Sequence, residues 1–255
     1  HGNIGSRLAP LARALGMKVL VCDPPLHRAG RGADFLPLAE ILPGADFLTL
    51  HVPNIKSGQD RTHHLIGAAE LGQMKPGAVL LNASRGNIVD SAAALAAARN
   101  GHVRLVLDVF EGEPTPDPDL LKACTIATPH IAGYSHEGKV NGTRMIGQAL
   151  AGFLNLPYNW EAKLAPPPAA TTPPSTANWA VTIRQAIRHS YDITEDHEAL
   201  AKANSLTPDA AGAYFDGLRK NYRERREFGN YDVAATGLPD GAAEALRALG
   251  FKGLR

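Results

Sequence analysis

Cysteine is scarce in this chain: 255 residues hold two, Cys22 and Cys124. Neither has a CxxC partner or a histidine at ligand spacing. That excludes a disulfide-stapled scaffold and a zinc ribbon, and reads as a reduced pair in a cytoplasmic protein with no metal. No apolar run approaches the roughly 18 residues that a membrane helix needs, so no membrane partner is expected. Charge of either sign is not in excess either, with a formal net charge of +1. That excludes a surface built around nucleic acid or anionic lipid. The one basic run, Arg219–Arg226, is broken by Glu224 and followed by Glu227, and reads as a solvated or subunit-facing surface.

What the chain does have is alternation. Ile4, Leu8, Leu11 and Leu15 recur at helical spacing and Gly16 ends that run. A β-like run, 18–23, follows and is closed by Pro24-Pro25. Further strands are expected at 47–52, 78–83, 105–110 and 125–128, with helices at 36–42, 68–74, 91–100 and 137–154 between and after them. Strands of about five residues alternating with helices mean βα units and a parallel sheet, and strands apolar on both sides mean helices on both faces. Near residue 160 the pattern changes. A stiff Pro-rich stretch, 165–174, leads to a segment with helices expected around Trp179–Ile187, 210–221 and 242–249 and a strand at 231–234, read as a small α+β module.

The first five residues, His1-Gly2-Asn3-Ile4-Gly5, are the latter part of G-x-G-x-x-G. Such glycines let backbone approach a pyrophosphate at a helix N-terminus, whose free N–H groups bind anions. Asp23 ends the next strand about 20 residues on, where an acid binds the adenosine ribose hydroxyls and repels a 2′-phosphate. NAD is therefore expected rather than NADP, with Gly2, Asn3, Ile4, Gly5 and Asp23 as its ligands. The fold class is α/β, a doubly wound Rossmann-type sheet lacking the strand that precedes the fingerprint, plus the C-terminal α+β module.

Three segments then end successive strands, where open α/β sheets place their ligands. They are Asn82-Ala83-Ser84-Arg85-Gly86, Asp108-Val109-Phe110-Glu111-Gly112-Glu113-Pro114 and Thr128-Pro129-His130-Ile131-Ala132-Gly133-Tyr134. Together they supply an Arg, an acid and a His. Oxidising an alcohol beside a carboxylate needs those three types. The planar fork of Arg85 holds the substrate carboxylate, His130 takes the hydroxyl proton, and Glu113 orients the His. His51, His63 and His64 have no such context and read as structural or surface residues.

N-A-S-R-G-N-I-V-D, L-D-V-F-E-G-E-P and T-P-H-I-A-G-Y resemble the D-isomer-specific 2-hydroxy-acid dehydrogenase family over roughly residues 1–155. The resemblance implies that Arg85 binds substrate, Glu113 orients His130, His130 is the general acid/base, and Asp108 and Gly133 lie near the nicotinamide. It also implies hydride transfer from C2 of the substrate to NAD. Within the family, Cys22-Asp23-Pro24-Pro25, the E-G-E-P form, Gly133-Tyr134 followed by Glu137-Gly138-Lys139, and the run 218–227 are similar to a branch with a phosphorylated 2-hydroxy-acid substrate and a C-terminal dimerisation module. That likeness implies a homodimer, contact of Tyr134 with substrate, and four segments: 1–134 for NAD, 135–160 returning to a substrate domain, a linker at 161–175, and dimerisation at 176–255. Other 2-hydroxy acids, such as phosphoglycerate or glycerate/hydroxypyruvate, stay open at this point. So does an NAD-sensing protein without turnover.

Overall fold

The computed structural model describes residues 1–32, 34–162, 178–234 and 236–254. In chain order its elements are α1 (Gly5–Ala14), α2 (Pro24–Arg28), α3 (Leu38–Ile41), β1 (Phe47–Leu50), α4 (Ala68–Gln73), β2 (Ala78–Asn82), α5 (Ser91–Arg99), β3 (Val103–Leu107), α6 (Pro118–Ala123), β4 (Ile126–Ala127), α7 (His136–Phe153), α8 (Trp179–Ser190), α9 (Ile193–Ala201), α10 (Pro208–Lys220) and α11 (Ala242–Leu249). A 3-10 turn at Gly86–Ile88 leads into α5. The Pro-rich stretch, 165–174, lies outside the described residues.

Four strands form one sheet in the order β1-β2-β3-β4, and every pairing is parallel. The register sets Leu48 beside Leu80 and Leu80 beside Leu105, and sets Leu50, Asn82, Leu107 and Ala127 in one row across the sheet. All seven of those side chains are buried, and they join Leu71, Ile88, Ala94, Leu120 and Leu121 in one core, except that Asn82 brings a polar group to it. The opposite face differs from expectation. Phe47, Thr49 and Arg104 are exposed there, and only Val79 is buried. Burial on both faces therefore holds at β2 alone among the described residues. The sheet has its own inside and outside, as the alternating burial of β1 records.

A second difference is the run 18–23. It joins no ladder among the described residues: Leu36 N–H donates to the Val21 carbonyl at 2.9 Å, and the Asp23 carbonyl accepts His27 N–H at 2.9 Å where α2 begins. A β-like run becomes a strand only where a neighbour takes its alternating N–H and C=O groups. In a doubly wound order that neighbour is the strand leading into the fingerprint. The expected strand at 231–234 is likewise reduced to a single parallel bridge, Asp232 to Lys252.

The chain divides into two compact units, residues 1–131 with 193–221, and residues 132–192 with 222–255. In the first, α9 packs on β4, the edge strand, and the His197 imidazole Nδ1 accepts the Ala127 N–H at 3.1 Å. Phe215 of α10 is fully buried, edge-on to Phe110. Residues 193–221 thus complete the sheet domain from a stretch of sequence far beyond it. In the second unit, α8 and α11 pack together, and buried Ile183, Ala186, Ala245 and Leu246 form their seam. Ser135 caps α7 through Gly138 N–H at 3.0 Å, and its hydroxyl donates to Glu227 at 2.8 Å. A Cβ at Gly138 would lie 2.7 Å from Ser135 Oγ and so disturb the cap.

Candidate active site

The carboxyl ends of β2, β3 and β4 carry the three catalytic candidates, and each is fixed by its own local chemistry. After β2 the chain must turn sharply. Asn82, buried at the strand end, accepts from both the backbone N–H (3.0 Å) and the hydroxyl (2.7 Å) of Ser84, and its amide donates to the Arg85 carbonyl at 2.9 Å. This Asx turn sets the backbone of Arg85 extended, at φ −145° and ψ 141°, with an exposed side chain whose Nη1 donates to the Ser84 carbonyl at 2.6 Å. Removing the Asn82 amide orphans Ser84 N–H and the Arg85 carbonyl. Asn82→Ala is expected to lower stability by about 1–3 kcal/mol, measured by urea unfolding.

Gly86 joins this turn to the next one. A Cβ at Gly86 would lie 2.0 Å from the carbonyl carbon and oxygen of Phe110 and 2.5 Å from the Glu111 nitrogen. The Arg85 turn and the 110–114 turn therefore touch backbone to backbone, a distance only glycine permits.

The 110–114 turn folds around its own acid. Glu113 Oε1 accepts the Phe110 N–H at 2.8 Å, and Oε2 faces His130 Nδ1 at 2.7 Å. His130 stands in the left-handed region at φ 55°. Two buried hydrogen bonds hold it there: its N–H donates to the Asp108 carbonyl at 2.8 Å, and Asp108 Oδ1 accepts the next N–H, Ile131, at 2.8 Å. The same Oδ1 accepts the Thr128 hydroxyl at 2.6 Å. Asp108, expected beside a nicotinamide, thus anchors the turn that carries His130. Backbone strain held by surrounding structure is a mark of functional positions.

The fingerprint region lies in the same unit. Gly2 and Gly5 lead into α1, which has no side-chain cap and no acid in its first turn. A Cβ at Gly2 would meet nothing within 4 Å, and one at Gly5 would make only ordinary contacts with His1 and His51. The open space over Gly2 suits an anion approaching the backbone, while the Ser6 and Arg7 N–H groups of the first turn already donate to the Gly2 and Ile4 carbonyls at 3.0 Å. Asp23 Oδ1 caps α2 by accepting Leu26 N–H at 3.0 Å. His51, read from sequence as structural or surface, directly follows β1 and lies next to Gly5, with its Nε2 3.0 Å from Thr49 Oγ1.

Gly133 and Tyr134 belong to the second unit. There the Tyr134 ring meets Tyr222 edge-on at 6.0 Å, and the Lys139 ammonium stands 4.5 Å above it. The sequence reading passed over Asn82, Gly86 and Thr128. Asn82 had a legible signal, an N-x-S turn directly after an apolar strand; Gly86 had none, because its partner lies 24 residues away.

A parallel sheet that carries an Arg and a Glu–His pair on neighbouring strand ends, with a glycine-led helix before it, fits a nucleotide-dependent dehydrogenase architecture. Comparison with known proteins makes this specific: residues 1–132 match the D-isomer specific 2-hydroxyacid dehydrogenase NAD binding domain, so the chain belongs to that family. Residues 165–250 match a second family, described as a domain of unknown function (DUF3410). The chain is 46% identical over 252 residues to erythronate-4-phosphate dehydrogenase of Salinibacter ruber, covering 93% of this chain and 64% of that protein. To the enzyme of the same name from Pseudomonas putida it is 41% identical, covering 98% of this chain and 66% of that protein. The chain thus spans just under two thirds of the length of these relatives. Among solved structures, the NAD-complexed D-isomer specific 2-hydroxyacid dehydrogenase of Lactobacillus delbrueckii ssp. bulgaricus aligns with a TM-score of 0.51 and 26% identity, covering 62% of this chain and 52% of that one.

Proposed function

We propose that the full-length protein oxidises C2 of a phosphorylated 2-hydroxy acid, 4-phospho-D-erythronate, with NAD, a step of pyridoxal 5′-phosphate synthesis. The carrying observation is the His130–Glu113 pair. With Nδ1 engaged by Glu113 at 2.7 Å, Nε2 is the atom left to exchange a proton with substrate. Gly2, Asn3, Ile4 and Gly5 would receive the pyrophosphate at the N-terminus of α1, and Asp23 the adenosine ribose. Asp108 and Gly133 are assigned to the nicotinamide end, Asp108 by holding the 128–131 turn in place. Bound NAD supplies the hydride acceptor. Arg85 grips the substrate carboxylate through its fork, and His130 Nε2 takes the hydroxyl proton as the C2–H bond gives up its hydride, leaving a 2-keto acid. In the reverse direction the imidazolium returns that proton.

The identity to erythronate-4-phosphate dehydrogenases along nearly the whole chain supports the phosphorylated substrate, and Tyr134 is assigned to it. A homodimer is proposed with it, through the C-terminal segment 176–255. A cytoplasmic location is proposed too, supported by two cysteines that are both free thiols. No helix among the described residues is long and apolar enough to cross a membrane, and no group of three or more His, Cys, Asp or Glu there could hold a metal.

The test is an NADH-linked assay of the full-length protein against a panel of 2-keto acids. The 2-keto acid derived from 4-phosphoerythronate should be the best substrate. Failure of every 2-keto acid would leave an NAD-binding protein without turnover. Arg85→Lys removes the bidentate fork while keeping the charge, and should raise KM for the keto acid and lower kcat/KM by roughly 10²-fold or more. A value within about threefold of the parent would refute the carboxylate role.

A further inference from the structure

The E-G-E-P turn carries two acids, and the chemistry above uses only the second. The first, Glu111, is held by three partners at the sheet's carboxyl edge. Its Oε1 accepts from His64 Nε2 at 2.7 Å and from the Asn87 amide at 3.3 Å, and its Oε2 accepts the Ser91 N–H at 3.1 Å. His64 is held in turn. It stands at φ 50°, its N–H donates to the Asn87 carbonyl at 2.8 Å, its ring stacks on His63 with centroids 4.2 Å apart, and its Nδ1 is 3.8 Å from Asp90. Burial pushes the Glu111 carboxyl up, but the bonds from His64 and Ser91 outweigh it and keep the group ionised below its ordinary range.

One side chain thus ties together the loops that follow β1, β2 and β3. Glu111 is two residues from Glu113, and its partner Asn87 is two residues from Arg85, on either side of the Gly86–Phe110 backbone contact. That contact alone is a single pivot, and a pivot fixes position but leaves rotation free. Glu111 adds separate attachments, to Asn87, to the start of α5 and to His64, and so sets the angle between the Arg85 and Glu113 turns. A charge-assisted bond of this kind is about twice as strong as a neutral one.

We propose that Glu111, with His64 as its partner, is a positioning residue that sets Arg85 against Glu113 and His130 in the reaction. The inference rests on the dehydrogenase reading given above. The experiment uses the full-length protein and the variants Glu111→Gln, His64→Ala and His64→Gln, with the exposed His27→Ala as control. His64→Ala and Glu111→Gln should each lower kcat by about 10- to 100-fold, the scale expected for misplacing catalytic groups by a fraction of an ångström to an ångström. NADH affinity should stay within about twofold. His64→Gln, whose amide can donate to Glu111, should recover most of the lost kcat; a purely structural loss would follow Tm and show no such rescue.

A second readout needs no substrate. In 15N-labelled protein, the ring resonances of His130 should shift or broaden in His64→Ala and stay at the parent position in His64→Gln and His27→Ala. If kcat falls only in step with Tm, if His64→Gln gives no rescue, or if kcat and the His130 resonances are unchanged in His64→Ala, the proposal is overturned. If the parent reduces none of the 2-keto acids, the dehydrogenase reading fails by itself, and the His130 resonances decide the coupling. If Glu111→Gln does not fold, the two His64 variants carry the test.

Discussion

Gly86→Ala should abolish measurable turnover in the full-length protein while leaving most of the fold in place. The added methyl would sit 2.0 Å from two backbone atoms of Phe110 and 2.5 Å from the Glu111 nitrogen, so no rotamer change can relieve it. One of the two turns has to move by more than an ångström. The 85–91 segment is anchored by buried Ile88 and Val89 and by the Asn82 side chain, and the 110–114 turn by buried Val109 and Phe110. Separating them therefore strains the core at about 1–3 kcal/mol, the usual scale for overpacking. The catalytic cost is larger. A displacement of about 1 Å at a reacting group lowers rates by roughly 10²-fold, and here the Arg85 turn and the Glu113 turn are both displaced. The check pairs thermal unfolding with kcat/KM. A moderate fall in Tm with a fall in kcat/KM of two or more orders of magnitude is the expected result. A variant with parental Tm and kcat/KM would show that the two turns do not meet as described.

The same contact explains what could and could not be read from the sequence. The strand–helix alternation, the parallel sheet and the strand-end segments that carry Arg85, Glu113 and His130 were legible because each is a local pattern. β2 is five apolar-to-polar residues that stop at Asn82, and the R-G, E-G-E-P and T-P-H signatures each sit within a few residues of a strand end. What was not legible depends on distant partners. The run 18–23 has a strand's composition, yet composition supplies no neighbour to pair with. Gly86 looks like any turn glycine until Phe110 is brought against it. His64, set aside for lack of sequence context, finds its context 47 residues away in Glu111. His197 finds its partner 70 residues away, in the backbone of β4, and with it the segment 193–221 turns out to belong to the sheet domain.

That last point bears on how the site is built. β4 is only two residues long, and as the edge strand it would leave Ala127 N–H without an acceptor. His197 supplies one, three residues before His130. The strand that leads to His130, the proposed general base, is thus steadied by a helix from the far end of the sequence. Residues 193–221, part of the stretch matched to a domain of unknown function, therefore have a physical task in this chain beyond any role in assembly.

Glu113→Gln is the substitution with the sharpest expected effect at the chemical step. The Phe110 N–H points at one carboxylate oxygen at 2.8 Å, and His130 Nδ1 lies 2.7 Å from the other. A glutamine has one acceptor oxygen, and the backbone N–H, which has no other orientation, claims it. The NH₂ group is then turned toward His130, where it can only donate. Nδ1 must become an acceptor, so the single proton of the neutral ring moves to Nε2. That atom has to accept the substrate proton during oxidation, and in the wrong tautomer it cannot. Loss of proton transfer of this kind costs typically about 10²–10⁴-fold, and a wrong-tautomer carboxamide in a serine-protease triad lies near the upper end. The expected outcome is therefore a kcat for alcohol oxidation reduced by about three orders of magnitude. NAD affinity should stay within a few-fold of the parent, because Glu113 lies at the His130 end of the sheet edge and the fingerprint glycines and Asp23 are untouched. Stopped-flow oxidation rates together with NAD titration would check both halves. A kcat within about tenfold of the parent would mean that Glu113 does not set the tautomer of His130, and the assignment of the general base would fall with it.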